Sequence, residues 1–347
     1  MGSKCSTEDA SCKKNPGGNS NNHNAPGNKL KNGNNASKQQ KQPSFPLKEP
    51  EFASFSANHF GQHPIPAAFY CKRLLTRYPR LNFDPDLFQL QVASVREVAR
   101  DGNCFYAACI YAAAEFLAKN PTHALADQFA PTFTALAARA ESEFNPPSGG
   151  SNISCGVRNR RALPPNEDTG PIDTAPLLAL LRTAREGGTP ALAAALPAFL
   201  ADGGLYHAVR LMRGALAARL RDCYNDVFPF LPEQYQDGDD DGGDFNSGFE
   251  RFLRFEVLQM SESADSLQIY HTAEMLRPLG LGVRVLRAEG GREEAFPEGL
   301  APHSPAVTLL HTPGHFELLY LLSEEHSSGQ NGGDSELKEG LGGDGDF

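Results

Sequence analysis

Two stretches at opposite ends of the folded part of this chain carry side chains suited to nucleophilic chemistry. The first is Asp101–Gly102–Asn103–Cys104, a polar, glycine-containing loop that ends in a cysteine. Phe105 to Leu117 follows it, rich in Ala, Tyr and Phe and without proline or glycine. That pattern predicts a buried helix with Cys104 in its first turn. A helix N-terminus gathers free backbone N–H groups and the positive end of the macrodipole. A thiol placed there is expected to have a lowered pKa and to hold more of the nucleophilic thiolate. The N–H groups of Asn103 and Cys104 are candidate oxyanion donors, and Gly102 permits the tight turn before the thiol.

A cysteine nucleophile requires a base. The second stretch, His311–Thr312–Pro313–Gly314–His315–Phe316–Glu317–Leu318–Leu319–Tyr320, contains two histidines. Pro313–Gly314 is turn chemistry, and the apolar run after it reads as a strand. Strand alternation then places His315 and Glu317 on one face and Phe316, Leu318 and Tyr320 on the other. A carboxylate two residues beyond an imidazole can orient it, which makes Cys104, His315 and Glu317 a candidate cysteine–base–acid set. His311 is the competing base, but it ends the preceding strand. Cys109 reads as a core residue of the helix.

Asp101–Gly102–Asn103–Cys104–Phe105–Tyr106 and Pro313–Gly314–His315–Phe316–Glu317–Leu318–Leu319–Tyr320 resemble the nucleophile and histidine motifs of the otubain family, within the ovarian-tumour (OTU) class of cysteine deubiquitinases. Phe249 to Ile269, with Glu256–Val257 and Ser263–Ala264–Asp265–Ser266, and Phe296–Pro297–Glu298–Gly299 are similar to further otubain stretches. The resemblance runs from about Gln91 to Leu322, interrupted by inserts. It implies a papain-like OTU fold of class α+β, with helices packed around a small, mostly antiparallel sheet. It also implies hydrolysis of isopeptide bonds between ubiquitin, or a ubiquitin-like modifier, and lysine, with no metal or cofactor. Asp101 matches the family residue that helps shape the oxyanion hole; its simpler role is to cap the turn, and the two are compatible. The implied partners are ubiquitin, polyubiquitin chains and ubiquitin-conjugating enzymes. Two positions depart from the family: Ala107 stands where arginine is common, and Glu317 where aspartate is typical. These departures sustain an alternative, a ubiquitin- or conjugating-enzyme-binding scaffold with little turnover. A papain-type peptidase fits poorly, because the tryptophan context of that nucleophile is missing and the chain has no Trp.

The elements that must position these residues read as follows. The chain has 347 residues, 40% hydrophobic and 21% charged, which is globular on average. A net charge of −10 argues against a general nucleic-acid binder. No apolar run is long enough to span a bilayer or to serve as a secretory signal. The seven cysteines show no C-x-x-C spacing, which argues against zinc and, with the missing signal, fits free thiols in a reducing cytoplasm. His59, His63 and Cys71 have no ligand spacing and read as scattered residues. Residues 1–48 are crowded with Asn, Gly, Lys, Ser and Gln, and residues 324–347 are acidic and glycine-rich. Both compositions predict disorder, which leaves 49–323 as one catalytic domain. Within it, helices are expected over Phe69–Tyr78, Leu125–Glu143, Pro176–Arg185, Ala191–Leu200, Leu205–Val227, Phe249–Gln259 and Ile269–Leu276. Strands are expected over Gly282–Leu286, Val307–His311 and His315–Leu322. Asn145 to about Pro171, with Arg158, Arg160 and Arg161, reads as a surface insertion, and Asp237–Asp244 as a flexible acidic loop without calcium-ligand order.

Met1–Gly2–Ser3–Lys4–Cys5–Ser6 fits the N-myristoylation pattern, with Cys5 placed for a second acyl chain. One myristoyl chain binds membranes only marginally, so the pair would supply the two signals that stable anchoring needs. The expectation is an otherwise cytoplasmic protein in contact with a membrane through its N-terminus. Gly2→Ala should move it to the soluble fraction in its own cells, and Cys5→Ser should do so partially and reversibly. Wild-type protein that is soluble and carries no myristate by mass spectrometry would refute the anchor.

Overall fold

The computed structural model describes residues 59–144, 170–236, 246–300 and 304–322. The two predicted tails, the acylation positions Gly2 and Cys5, the arginine-bearing insertion and the acidic loop Asp237–Asp244 lie outside the described residues. The class is α+β, as expected from the resemblance.

Six strands form one sheet: β1 (Ile65–Pro66), β2 (Val92–Arg96), β3 (Gly282–Arg287), β4 (Glu293–Phe296), β5 (Ala306–Thr312) and β6 (His315–Leu321). Their order is β1-β2-β6-β5-β3-β4, antiparallel except for the β3–β5 pair. β5 and β6 form a hairpin through Pro313–Gly314, where Gly314 has φ 68°. Beside them, β2 pairs antiparallel with β6, Arg96 opposite Leu318 and Val95 opposite Leu319. A chain leaving β2 at Arg96 therefore runs toward the start of β6. That pairing delivers the nucleophile loop to His315.

The helices lie on both faces. α1 (Ala67–Arg77) and α2 (Pro85–Gln91) cover one face, where Tyr70, Leu74, Phe88, Val95, Leu310 and Leu319 form a smaller core. Asp84 caps α2 by accepting from the N–H groups of Asp86 and Leu87, and Pro85 opens it. The other face carries the main core. Its centre is α3 (Cys104–Lys119), which is buried on nearly all sides, as expected of a helix apolar all round.

Against α3 pack α5 (Ala175–Ala201) and α6 (Gly204–Asp222), and α4 (Phe129–Phe144) packs on α6. At Gly188 (φ 66°, ψ −162°) α5 is broken, so its two halves correspond to the two expected helices. Two one-turn helices, α7 (Tyr224–Val227) and α8 (Glu233–Gln236), lead on to α9 (Asn246–Phe252). A π-turn at Leu253–Val257 follows, and then α10 (Ser266–Leu276), capped by Asp265. Among the described residues no single helix is long and apolar enough to cross a membrane.

The elements β1, α2, β2, α8 and β4 were not expected from the sequence. The long helix predicted over Leu205–Val227 ends at Asp222 and restarts for one turn. Two of its arginines, Arg210 and Arg213, are buried.

Candidate active site

The nucleophile loop is held from two sides. Asp101 accepts from Asn103 N–H at 2.9 Å, an Asx turn. Gly102 has φ 79°, and a Cβ there would lie 1.8 Å from the carbonyl oxygen of Ser261, so only glycine fits. Ser261 itself has φ 73° and donates its N–H to Asn103 Oδ1 at 3.1 Å. Asn103 Oδ1 also accepts from Nε and an Nη of Arg213, at 3.2 and 3.0 Å. Asn103 N–H, one of the two candidate oxyanion donors, is thus already engaged by Asp101. Among the described residues the Cys104 N–H has no such partner and remains open.

Cys104 begins α3 with 1% of its surface exposed. Its thiol lies beside the first peptide of β6: Phe316 N–H points at Sγ from 3.4 Å. Burial pushes the thiol up to about 11; the N–H groups of Phe316 and Phe105 oppose this, and the carboxylates of Asp101 and Glu317 add to it. The lowered thiol pKa expected at a helix N-terminus is thus corrected. In this closed arrangement desolvation of the thiolate outweighs the backbone dipoles.

His315 and Glu317 are each 1% exposed and share one face of β6, while Phe316 and Leu318 enter the main core on the other. The extra methylene of Glu317, compared with aspartate, lets the carboxylate serve several donors. Oε2 accepts from Val98 N–H at 2.6 Å. Oε1 accepts from Tyr70 Oη and from an Arg100 Nη, both at 3.4 Å, and lies 2.9 Å from His315 Nε2. This last contact is at ion-pair distance, but the ring does not aim an N–H at the oxygen. Among the described residues neither ring nitrogen of His315 has an aligned hydrogen bond. Buried polar atoms left in that condition are uncommon and often mark a working site.

Sequence reasoning missed two residues here. His59, read as scattered, is 2% exposed, and its Nδ1 is 3.8 Å from Asp101 Oδ2. Burial lowers its pKa, Asp101 opposes this, and the charge of His315 adds to it. It is placed by pairing of Phe60 with Val98 and by Ala99 N–H donating to His59 O, a one-bridge ladder too short to leave a pattern in the sequence. The second is Arg213, whose signal lies in the sequence: an arginine next to Met212 and one turn before Leu216, on the apolar face of α6. His311 lies elsewhere. Its ring packs on Phe316 at 4.7 Å and its Nδ1 faces an Arg287 nitrogen at 3.5 Å. Ala107 is fully buried, and the guanidinium that touches this turn comes from Arg213. Among the described residues no group of His, Cys, Asp and Glu could hold a metal ion.

No protein-family model matches the chain, and no curated protein matches it in sequence. Solved structures do match. One is ceOTUB1 in a complex with ubiquitin aldehyde and UBC13~Ub, with a TM-score of 0.50 and 18% identity, covering 75% of this chain and 92% of that one. Another is h/ceOTUB1 with ubiquitin aldehyde and UBC13~Ub, again with a TM-score of 0.50 and 18% identity, covering 75% and 89%. The class this likeness defines is that of the fold: an OTU-type α+β architecture. More particularly, the solved structures that share it are otubains.

The raised thiol pKa has a direct consequence for the free protein. Thiolate is the species that alkylates, and its fraction below the pKa grows tenfold per pH unit. Reaction of Cys104 with iodoacetamide, followed by peptide mass spectrometry, should therefore accelerate about tenfold per unit between pH 7 and 9. A pH-independent rate over that window would mean a thiolate already formed beside an imidazolium, against this assignment.

Proposed function

We propose that this protein is a cysteine-type deubiquitinase, hydrolysing the isopeptide bond between the C-terminal glycine of ubiquitin, or of a ubiquitin-like modifier, and a lysine. One observation carries the reading. A buried imidazole with an unpartnered Nδ1 contacts a fixed carboxylate through Nε2, one peptide away from a thiol at a helix N-terminus. The otubain fold supports it, as does the presence of ubiquitin aldehyde in the structures that share that fold.

His315 Nδ1 takes the proton of Cys104, and the thiolate attacks the glycine carbonyl carbon. Glu317 holds the imidazole, with a small ring rotation bringing Nε2–H onto its Oε1. The oxyanion forms against Cys104 N–H. Asp101 keeps Asn103 N–H occupied and so shapes that hole without entering it. The intermediate collapses as His315 returns the proton to the leaving lysine amine. Water then attacks the thioester, His315 accepting its proton and passing it to the departing thiolate. No step calls for a metal or cofactor.

A second reading, a scaffold that binds ubiquitin or a ubiquitin-conjugating enzyme without turnover, is favoured by the burial of Cys104, which raises the thiol's pKa. The conjugating enzyme UBC13 in the structures that share the fold supports the same surface use.

A panel of diubiquitins of defined linkage separates the two. The wild type should cleave at least one linkage. Cys104→Ala should abolish cleavage while keeping binding, His315→Ala should cost on the order of 10³-fold or more, and Glu317→Ala should retain part of the rate, because an imidazole without its orienting acid still accepts the proton. His311→Ala should stay within about threefold, since the His311 ring packs on Phe316 and faces Arg287 rather than the thiol. Binding without cleavage of any linkage would favour the scaffold. Loss at His311 with none at His315 would move the base.

A further inference from the structure

We infer that Arg213 is a positioning residue for the oxyanion donor: from α6 its guanidinium fixes the Asn103–Cys104 peptide and so aims the Cys104 N–H. The inference rests on the hydrolase reading above and deepens it.

Arg213 is wholly buried, at 0% exposure, among Leu211, Met212, Ala215 and Leu216. A charged side chain in such a place is costly unless its donors are satisfied. Its hydrogen bonds go to two loops. From Nη1 it donates to Val257 O at 2.9 Å, and from Nη2 to Glu262 O at 2.6 Å and Gly102 O at 3.3 Å, besides the two bonds to Asn103 Oδ1. Its flat face lies 4.5 Å from the centre of the Tyr106 ring, on the first turn of α3, and Tyr106 is in turn fixed by Gln268. The guanidinium thus ties the nucleophile loop to the 257–262 segment and to the helix that bears Cys104.

Asn103 shows the effect of this tie. It occupies the N-cap of α3 with φ −95° and ψ 0°, yet its side chain makes no cap hydrogen bond. Its oxygen is given instead to Arg213 and to Ser261 N–H. With Asn103 N–H held by Asp101 and Oδ1 held by Arg213, its φ and ψ are fixed. The value of ψ at Asn103 sets where the Cys104 N–H points. Arg213 acts through Asn103 and touches no reacting atom, so its effect belongs to the step in which negative charge develops on the carbonyl oxygen.

The test compares two reactions of Cys104 in the full-length protein. Hydrolysis of a ubiquitin C-terminal aminocoumarin passes through an oxyanion, whereas alkylation by iodoacetamide does not. Arg213→Lys keeps the charge, but a single ammonium cannot span both loops. It should lower kcat about 10²-fold, the cost of a misaimed group, with KM and the alkylation rate each within about threefold of wild type. Equal losses in hydrolysis and alkylation would make Arg213 a support for the thiol or the fold and overturn the inference, as would an unchanged kcat. If Arg213→Lys does not fold, Asn103→Ser, which removes the shared acceptor, undergoes the same two measurements, with the same outcomes supporting or overturning the inference. A wild type that alkylates normally but never hydrolyses the ubiquitin substrate overturns the hydrolase reading and this inference together. A wild type that turns over while Arg213→Lys matches it overturns the inference alone.

Discussion

A carboxylate with 1% exposure sits on the sheet at Glu317, and much of the surrounding structure serves to keep it there. Taking an ion of that kind out of water costs several kcal/mol unless its lone pairs are met by donors. The donors come from separate elements: Val98 N–H just beyond β2, Tyr70 from α1, Arg100 from the nucleophile loop, and the contact with His315 on β6 itself. Each constrains the fold. The Val98 bond requires the chain leaving β2 to run beside β6, Tyr70 requires α1 on that face, and Arg100 moors the loop ending in Cys104. The carboxylate beside the imidazole thus also fastens the thiol's loop to the imidazole's strand. Glutamate suits this better than its shorter homologue would, since its reach lets one oxygen serve Val98 while the other faces His315 and Arg100.

The parts of the site readable in the sequence were those made by local chemistry. A glycine forced to positive φ before a helix, a Pro–Gly turn before an alternating strand, and a carboxylate two residues past a histidine all leave marks within a few residues. The large helices were legible for the same reason, as long apolar periodic runs. What escaped notice depended on partners distant in the chain. β2 is five residues long and is defined by pairing with β6. Nothing local separates it from the short helix α2 that precedes it, although Asp84–Pro85 was a usable start signal for that helix. β4 could have been found from the Gly290–Gly291 turn that folds it back on β3. His59 was missed because an isolated polar residue normally faces solvent and only tertiary contacts place it at the loop, whereas Arg213 at least lies among apolar residues of α6. The thiol's pKa was misjudged because the helix end is visible in the sequence and the depth of burial is not.

The site as it stands is closed. Phe316 N–H covers the sulfur, desolvation keeps it protonated, and the imidazole is close to its carboxylate without being aligned on it. The loop that carries the thiol is by contrast rigidly built, clamped by Asp101, Ser261 and Arg213. The physical division is between a fixed nucleophile loop and a histidine strand whose ring has yet to align. The Phe316 N–H at the sulfur and the unaligned His315 ring lie on the same strand, β6.

The most direct measurement is the reaction of the full-length protein with ubiquitin bearing a C-terminal electrophile, with the adduct mapped by tandem mass spectrometry. The account predicts one ubiquitin per chain, attached at Cys104 and absent when the ubiquitin is first unfolded. An adduct at Cys71, Cys109 or Cys223, or no adduct from a protein that still binds ubiquitin, would contradict it.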